Sequence, residues 1–465
     1  MDREKKRRRQ SFKVIVSEIL MTLAVVVTVI VLAFIVSGYW VNSDFEVERQ
    51  GLLQVSSVPT GAEVVIDDES AWLQRTNTSK VLPSGTHKVE LKKEGYDSWS
   101  KTIDISEGLL YRLHYPRLFL LKREKEKILS VGGATFASVS PNRKTLLVAN
   151  NTTEWKLIDL DRESIEAKKI NIAEYFSGVS MAEGATVGLF NSDILDADWA
   201  KDDNHILFKV RSGENVEWVL VDVRNLKNTI NLTKEFGVNF SKVEILDNSA
   251  NNLLIVQNSN LQRVDLSSKA ISAVIVENIV SFDHFENEVI YVAKKDEGFV
   301  MGKTEIGDNE PEILDHLASS ARVLISKFYD DKYITLVQGQ TVTLYREDDY
   351  IKVQEYELSF VPESLKVGHN GEFIIMASGG SIATLDMEAM KTTEWSLGDA
   401  KYGWVDNDMI YTVKEGELSV YDFDGLNHRS LAKNVSEHFP ATITSDKWLY
   451  YFSDDYLVRE WLIKR

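Results

Sequence analysis

Apolar and polar positions fall into three textures along the chain. The first is an unbroken apolar run from Ile19 to Val41 that carries no charge. At 1.5 Å per residue, about 20 such residues cross a bilayer core, so a transmembrane helix is expected over 19–41. After a polar linker at 42–50, the second texture alternates in short stretches broken by turn residues. Leu53 and Val55 are followed by Ala62 to Ile66. His87, Val89 and Leu91 then alternate with Lys88, Glu90 and Lys92, and Trp99, Ile103 and Ile105 come last. Period-2 alternation of this kind predicts strands with one wet face, here over 51–118.

The third texture repeats itself from residue 119 to the end. Each unit has a polar turn, an apolar strand, a second turn and a strand that often ends in Asp plus a hydrophobe. Leu146 to Val148 is answered by Trp155 to Leu160, and Ile206 to Phe208 by Trp218 to Val223. Further units start at Leu253, Val289, Tyr333, Phe373, Met409 and Trp448, and the widest gap is the first, from Leu146 to Ile206. A strand-only repeat with a period of about 40 residues points to β-propeller blades, because one small sheet cannot bury both faces alone. Eight units predict eight blades, or seven if one unit is partial; a stacked sandwich array is the competing architecture. The wide first gap predicts an insertion at 164–193. The short strand Lys127 to Val131 is expected to complete the last blade, leaving neither end unpaired. The six consecutive charges Lys122 to Lys127 are taken as a solvated seam between the two β regions.

Charge gives these pieces an orientation. Seven basic residues crowd the first thirteen positions, against Asp2 and Glu4; everything after them carries 46 basic and 69 acidic residues, a charge of −23. Lys and Arg flank the apolar run on its amino-terminal side only. The positive-inside rule therefore keeps that end in the cytoplasm and the carboxyl-terminal bulk outside. Ile19, Leu23, Val27, Val31 and Phe34 are the expected anchor residues, with Tyr39 and Trp40 at the far water–lipid boundary. A cleaved signal peptide ending near Val36 and Gly38 is the alternative; its apolar region would ordinarily be shorter. An acidic chain of pI near 5.0 is a poor nucleic-acid binder. The absence of cysteine excludes disulfides, thiolate metal sites and a lipoprotein anchor.

The middle region resembles the PEGA domain family. Pro59, Gly61 and Ala62 match its name-giving motif with Thr60 in place of Glu, and Gly85 and the Gly95-Tyr96 pair match further on. The resemblance covers about Gly51 to Leu118. It implies a small β-sandwich of cell-surface and envelope proteins, with an interaction role and no catalytic residues. Asp67-Asp68-Glu69 replaces a Gly-containing turn of the family, so a longer hairpin is expected there. The turn Ser140-Pro141-Asn142-Arg143 resembles the Ser-Pro-Asp-Gly phrase of bacterial TolB-like propellers, and His369-Asn370-Gly371 does so more weakly.

Chemistry is sparse. The eight histidines show no metal spacing, and no nucleophile elbow or phosphate loop is present. Asp422-Phe423-Asp424-Gly425 is read as a turn, not a calcium loop. Ten Trp and seventeen Tyr are assigned to packing between blades. Asp196 and Asp198 on an expected inner strand, with Asp283, are the candidate channel carboxylates; paired carboxylates about 5–10 Å apart can cleave glycosidic bonds. No cofactor and no catalysis are expected. The sequence reads as an all-β, single-pass bacterial plasma-membrane protein with extracytoplasmic domains, binding an envelope protein or glycan. An envelope hydrolase is the rival, and a sensor is disfavoured by the short cytoplasmic segment.

Overall fold

The computed structural model describes residues 18–30, 32–33, 39–41, 47–172, 175–180, 187–246, 250–307, 310–368 and 371–464. Two compact units divide the chain between Leu121 and Lys122.

The first unit opens on helical residues 18–30, whose apolar side chains, Ile19, Leu23 and Val27 among them, are exposed. No helix of the described residues is long and apolar enough to cross a membrane. Val31, Phe34 and 35–38 of the expected span lie outside them. The far end of that span differs from expectation: Tyr39–Val41 is a strand, β1, paired antiparallel with the start of β2, Val47–Val55. Aromatic and β-branched residues suit a ladder, and here they add to an existing strand. β2 thus begins inside the expected linker.

Two four-stranded sheets follow. One joins β1, β2 and β5 (Thr78–Pro83), with β8 (Leu110–Leu113) parallel to β2. The other orders β4 (Glu69–Arg75), β3 (Glu63–Ile66), β6 (Gly85–Lys92) and β7 (Trp99–Ile105). Alternate residues of both sheets form one core of Leu53, Val55, Val64, Leu91, Trp99 and Leu113. The β3–β4 hairpin is shorter than expected. Asp67 and Asp68 both take left-handed φ, 51° and 63°, closing a two-residue turn in which carboxylates replace glycine. Asp67 is held there by His87 Nδ1 at 2.6 Å and the Lys88 N–H at 2.8 Å, which keep its carboxyl below the usual range.

Among the described residues, the second unit holds eight antiparallel four-stranded sheets in chain order, at residues 134–171, 193–231, 242–271, 279–317, 322–357, 364–396, 401–433 and 442–461. The strand pairs of the repeat are the second and third of each sheet; most first and fourth strands escape the pattern, the strand near Lys127 and the one holding Asp196 and Asp198 excepted. Fourth strands such as Ile351–Glu357 are largely exposed and lack the alternation that marks a half-buried strand. The eighth sheet takes its fourth strand from β9, Lys125–Ser130, so both ends of the unit share one sheet. The charged stretch before it is therefore part of the fold. Arg123 Nε donates to Glu460 Oε2 at 2.9 Å, and Glu126 accepts from Arg459, whose side chain is 4% exposed.

Each sheet packs its faces against its neighbours. Leu147 and Trp155 of the first meet Ile206 and Phe208 of the second, and the pattern continues sheet by sheet to Ile375 and Ile410. Leu146 and Ile158 of the first sheet also pack on Trp448 and Tyr450 of the eighth, completing a cycle. The Ser140-Pro141-Asn142-Arg143 turn pins this closure. Arg143 bonds the Ile443 carbonyl and Asn407, and Thr444 Oγ1 donates to the Arg143 carbonyl. The recurrent strand-end Asp is explained locally: Asp222 and Asp386 accept backbone N–H groups two and three residues on, capping the following turns. Asp424 does the same for Leu426. The insertion expected at 164–193 is shorter, because Ala167–Asn171 is the fourth strand of the first sheet, and it is not a bare loop: Phe176 and Phe190 close over Trp155, with Val179–Ser180 paired to Leu189–Phe190.

Candidate functional site

The first strands of the fourth and fifth sheets, Ile279–Phe285 and Arg322–Phe328, approach closely, and that of the sixth, Ser364–Val367, adjoins the fifth, which puts first strands at the inner edge of the cycle. Register puts an acid at one equivalent position in three consecutive first strands. Asp198 lies opposite Leu207, Glu244 opposite Leu254 and Asp283 opposite Ile290. The three interact. Asp198 reaches solvent, but the surrounding protein, then Asp196 and Glu244, push its carboxyl up to about 6. Burial raises Glu244, and Asp283 adds to it, while Lys242 Nζ pairs with Glu244 Oε1 at 2.5 Å. Lys366, from the sixth sheet, also acts on Asp198. The second and sixth sheets are four apart in a cycle of eight, so this influence crosses the axis.

Of the sequence candidates, Asp198 is the one that combines a raised carboxyl with access to solvent. Asp196 is exposed and accepts from the Ala197 N–H. Asp283 is a fastener: Oδ1 accepts from the His284 N–H and Oδ2 from the Ile325 N–H of the next sheet, each at 2.9 Å. Burial raises its carboxyl and lowers the His284 imidazole. Glu244, Lys242 and Lys366 escape sequence reasoning; the signal that would find them is the shared register of first strands. Leu195 and Val280 are exposed apolar residues on the strands of Asp198 and Asp283, and Tyr402 is exposed on the first strand of the seventh sheet. Leu195 and Val280 sit at breaks in the pairing register, where an extra residue is turned out of the ladder. The arrangement offers a mixed apolar and charged lining able to hold a ligand with cationic and flat apolar parts. Among the described residues, no three His, Asp or Glu side chains converge on a metal position.

The charge on Asp198 has a testable sign. Its folded value lies above the ordinary 3.8, so its stabilising contribution is complete below 3.8 and is lost as pH rises through about 6. Asp198→Asn is expected to flatten stability between pH 4 and 6. It should stabilise the protein at pH 7 by about 1 kcal/mol, discounted for the solvent this side chain reaches. Urea unfolding at both pH values measures it.

A second acid cluster joins the fourth and fifth sheets. Lys332 bonds Glu288 and lies 3.0 Å from Glu347. Burial and Glu347 push Glu288 up to about 7; burial opposes the ionised Glu347, but hydrogen bonds from Glu288 and Lys332 hold it below the usual range. The pair thus shares one proton under a lysine. Lys332→Met removes that cation and is expected to cost about 2 kcal/mol at pH 7, less at pH 5 where Glu288 is fully protonated. Thermal unfolding at the two pH values checks the difference.

A recess of about 320 Å³ between the sixth and seventh sheets, lined by Leu397, Lys414, Glu417 and Tyr421, contains none of these carboxylates. Asn231, in an Asn-x-Thr position, is buried and caps the helix Leu232–Phe236 while binding the Tyr175 carbonyl, so it is unavailable for glycosylation.

Comparison with known proteins bears on both units. The PEGA domain family matches residues 50–116. No curated protein matches the chain. Among solved structures, Hsv2p of Kluyveromyces lactis is similar at 10% identity over 65% of this chain and 99% of its own, with a TM-score of 0.43. The Dos1 propeller is similar at 11% identity over 74% and 95%, TM-score 0.43. PorZ, a bacterial surface component of the type-IX secretion system of Porphyromonas gingivalis, is similar at 12% over 70% of this chain and 42% of its own, TM-score 0.41. These are low-level, propeller-like likenesses and say nothing of activity. The chain is nearly all-β, and its residues 50–116 are a PEGA domain.

Proposed function

We propose that this chain is a membrane-anchored cell-envelope binding or scaffold protein. Ile19 onward anchors it with the amino terminus inside, and the PEGA domain and an eight-bladed β-propeller stand outside the plasma membrane. The observation that carries the reading is chain order. A charge-free apolar run, basic on its inner flank only, leads straight into β1 and the sheet of the PEGA domain. The propeller is the platform, and its first strands, which carry Asp198, Glu244, Leu195 and Val280 and, on the seventh sheet, Tyr402, are the ligand-facing part. The −23 exterior favours cationic partners over anionic polymers. A photo-crosslinking residue at Tyr402, in cells, is expected to trap an envelope protein or glycan, and rising salt to weaken the yield. The same residue at Val353, exposed on a fourth strand, should trap nothing comparable. Equal yields from both positions would contradict the assignment.

The raised Asp198 beside Asp196 and Glu244 favours one second reading, a glycan hydrolase working from the channel. It requires that the full-length protein release reducing ends from envelope glycan and that Asp198→Asn abolish the release. The binding account expects no release from either.

A further inference from the structure

The two outward faces of the PEGA domain are unlike. On β6 and β7 of one sheet the outward positions Thr86, Lys88, Glu90, Lys92, Thr102 and Asp104 are all polar, and Val65 of β3, opposite Glu90, is buried. On the other sheet, Val81, Leu52 and Leu110 stand in one row across β5, β2 and β8, directly opposite one another in register. They are 55%, 37% and 36% exposed, and Leu109 beside them is 63% exposed. The inward neighbours Leu82 and Leu53, with Leu113 further along β8, already fill the core, so the apolar row is surplus to folding. A half-buried antiparallel sheet normally keeps that face polar.

The position of the row names what covers it. β1 and β8 follow one another along the same edge of β2: Tyr39 faces Arg49, and Leu110 faces Leu52. The connecting residues hug that edge, with the Gly108 N–H on the Gln50 carbonyl and the Leu52 N–H on the Leu109 carbonyl, both 2.9 Å. The apolar run therefore feeds into the sheet at the level of Arg49, three residues from Leu52, about 10 Å along a strand. Arg112, one row further on the same face, sets a guanidinium beside the row. Apolar side chains with a neighbouring cation suit the interface of an anionic bilayer.

We infer that the outward face of the β5–β2–β8 sheet seats on the lipid surface into which the apolar run inserts. The inference rests on the anchor reading above and adds that the PEGA domain lies against the bilayer instead of standing clear of it. Because the chain has no cysteine, single labels are clean. Full-length Val81→Cys and Thr102→Cys, each carrying an environment-sensitive fluorophore, are placed in nanodiscs containing phosphatidylglycerol and a spin-labelled lipid. The Val81 label should be quenched by lipid at least twofold more than the Thr102 label and be shielded from aqueous iodide. Equal iodide access at both positions overturns the seat. Shielding of the Val81 label without lipid quenching also overturns it and points to a second copy on the row. Carbonate extraction of the same protein separates the failures: a retained protein without lipid quenching loses only the seat, and a released one loses the anchor as well.

Discussion

Trp155→Ala is expected to destabilise the second unit by about 3–5 kcal/mol, the cost of emptying a large, fully buried aromatic site. The side chain is 1% exposed and sits at the seam between the first two sheets. Phe190, Phe208 and Phe176 surround it at centroid distances of 5.2, 5.7 and 5.8 Å, and its Nε1 donates to the Thr152 carbonyl at 2.9 Å. Phe176 and Phe190 come from the insertion, so its residues lose their footing together with the seam. Denaturant unfolding followed by circular dichroism should show the loss, with accelerated hydrogen exchange at 187–190. Val353→Ala, on an exposed edge strand, should stay within about 0.5 kcal/mol of the parent. A comparable loss from both would refute the packing account.

Replacing Lys125–Ser130 with a Gly/Ser segment of equal length should cost about 5 kcal/mol and open the cycle. Three losses add up: the packing of Leu129 at the seam between the eighth and first sheets, the Glu126 partner of buried Arg459, and the ordering of six flexible residues. Domains are stable by roughly 5–15 kcal/mol, so a loss of this size unfolds a large fraction. Hydrogen exchange should rise first at Trp448–Ser453 and Thr145–Asn150, the strands on either side of the seam. Unchanged exchange there would mean that β9 is dispensable.

The strands legible in the sequence are those with two buried faces. Trp448–Ser453 is buried throughout, and its apolar run announces it. Lys391–Ser396 and Ile351–Glu357 carry the same ladders but look to solvent, so their sequences resemble loops. The closure by β9 is readable because the repeat leaves the strand before its first full unit without a sheet of its own, while the eighth sheet supplies three strands from the other end. The charged residues in it read as a solvated seam because Arg459 and Glu460 exist as partners only once the chain ends meet. The site is half legible for a similar reason. Asp198 stands out beside Asp196, but Glu244, Lys242 and Lys366 join it through register between sheets that are remote from one another in the chain. Asp283 looks like a channel acid and is a fastener, because a carboxylate near a neighbouring strand accepts its N–H groups. The turn at Asp67-Asp68 defies the sequence expectation since Asp, given partners such as His87, tolerates the left-handed backbone that glycine usually supplies.

The central claim is that one chain places its PEGA domain and propeller outside a membrane that its apolar run holds. Protease added to intact cells, with epitopes at both termini, addresses it directly. The account predicts that the carboxyl-terminal epitope is removed while the amino-terminal one survives until the cells are lysed. Protection of the carboxyl-terminal epitope in intact cells, with digestion only after lysis, would contradict it.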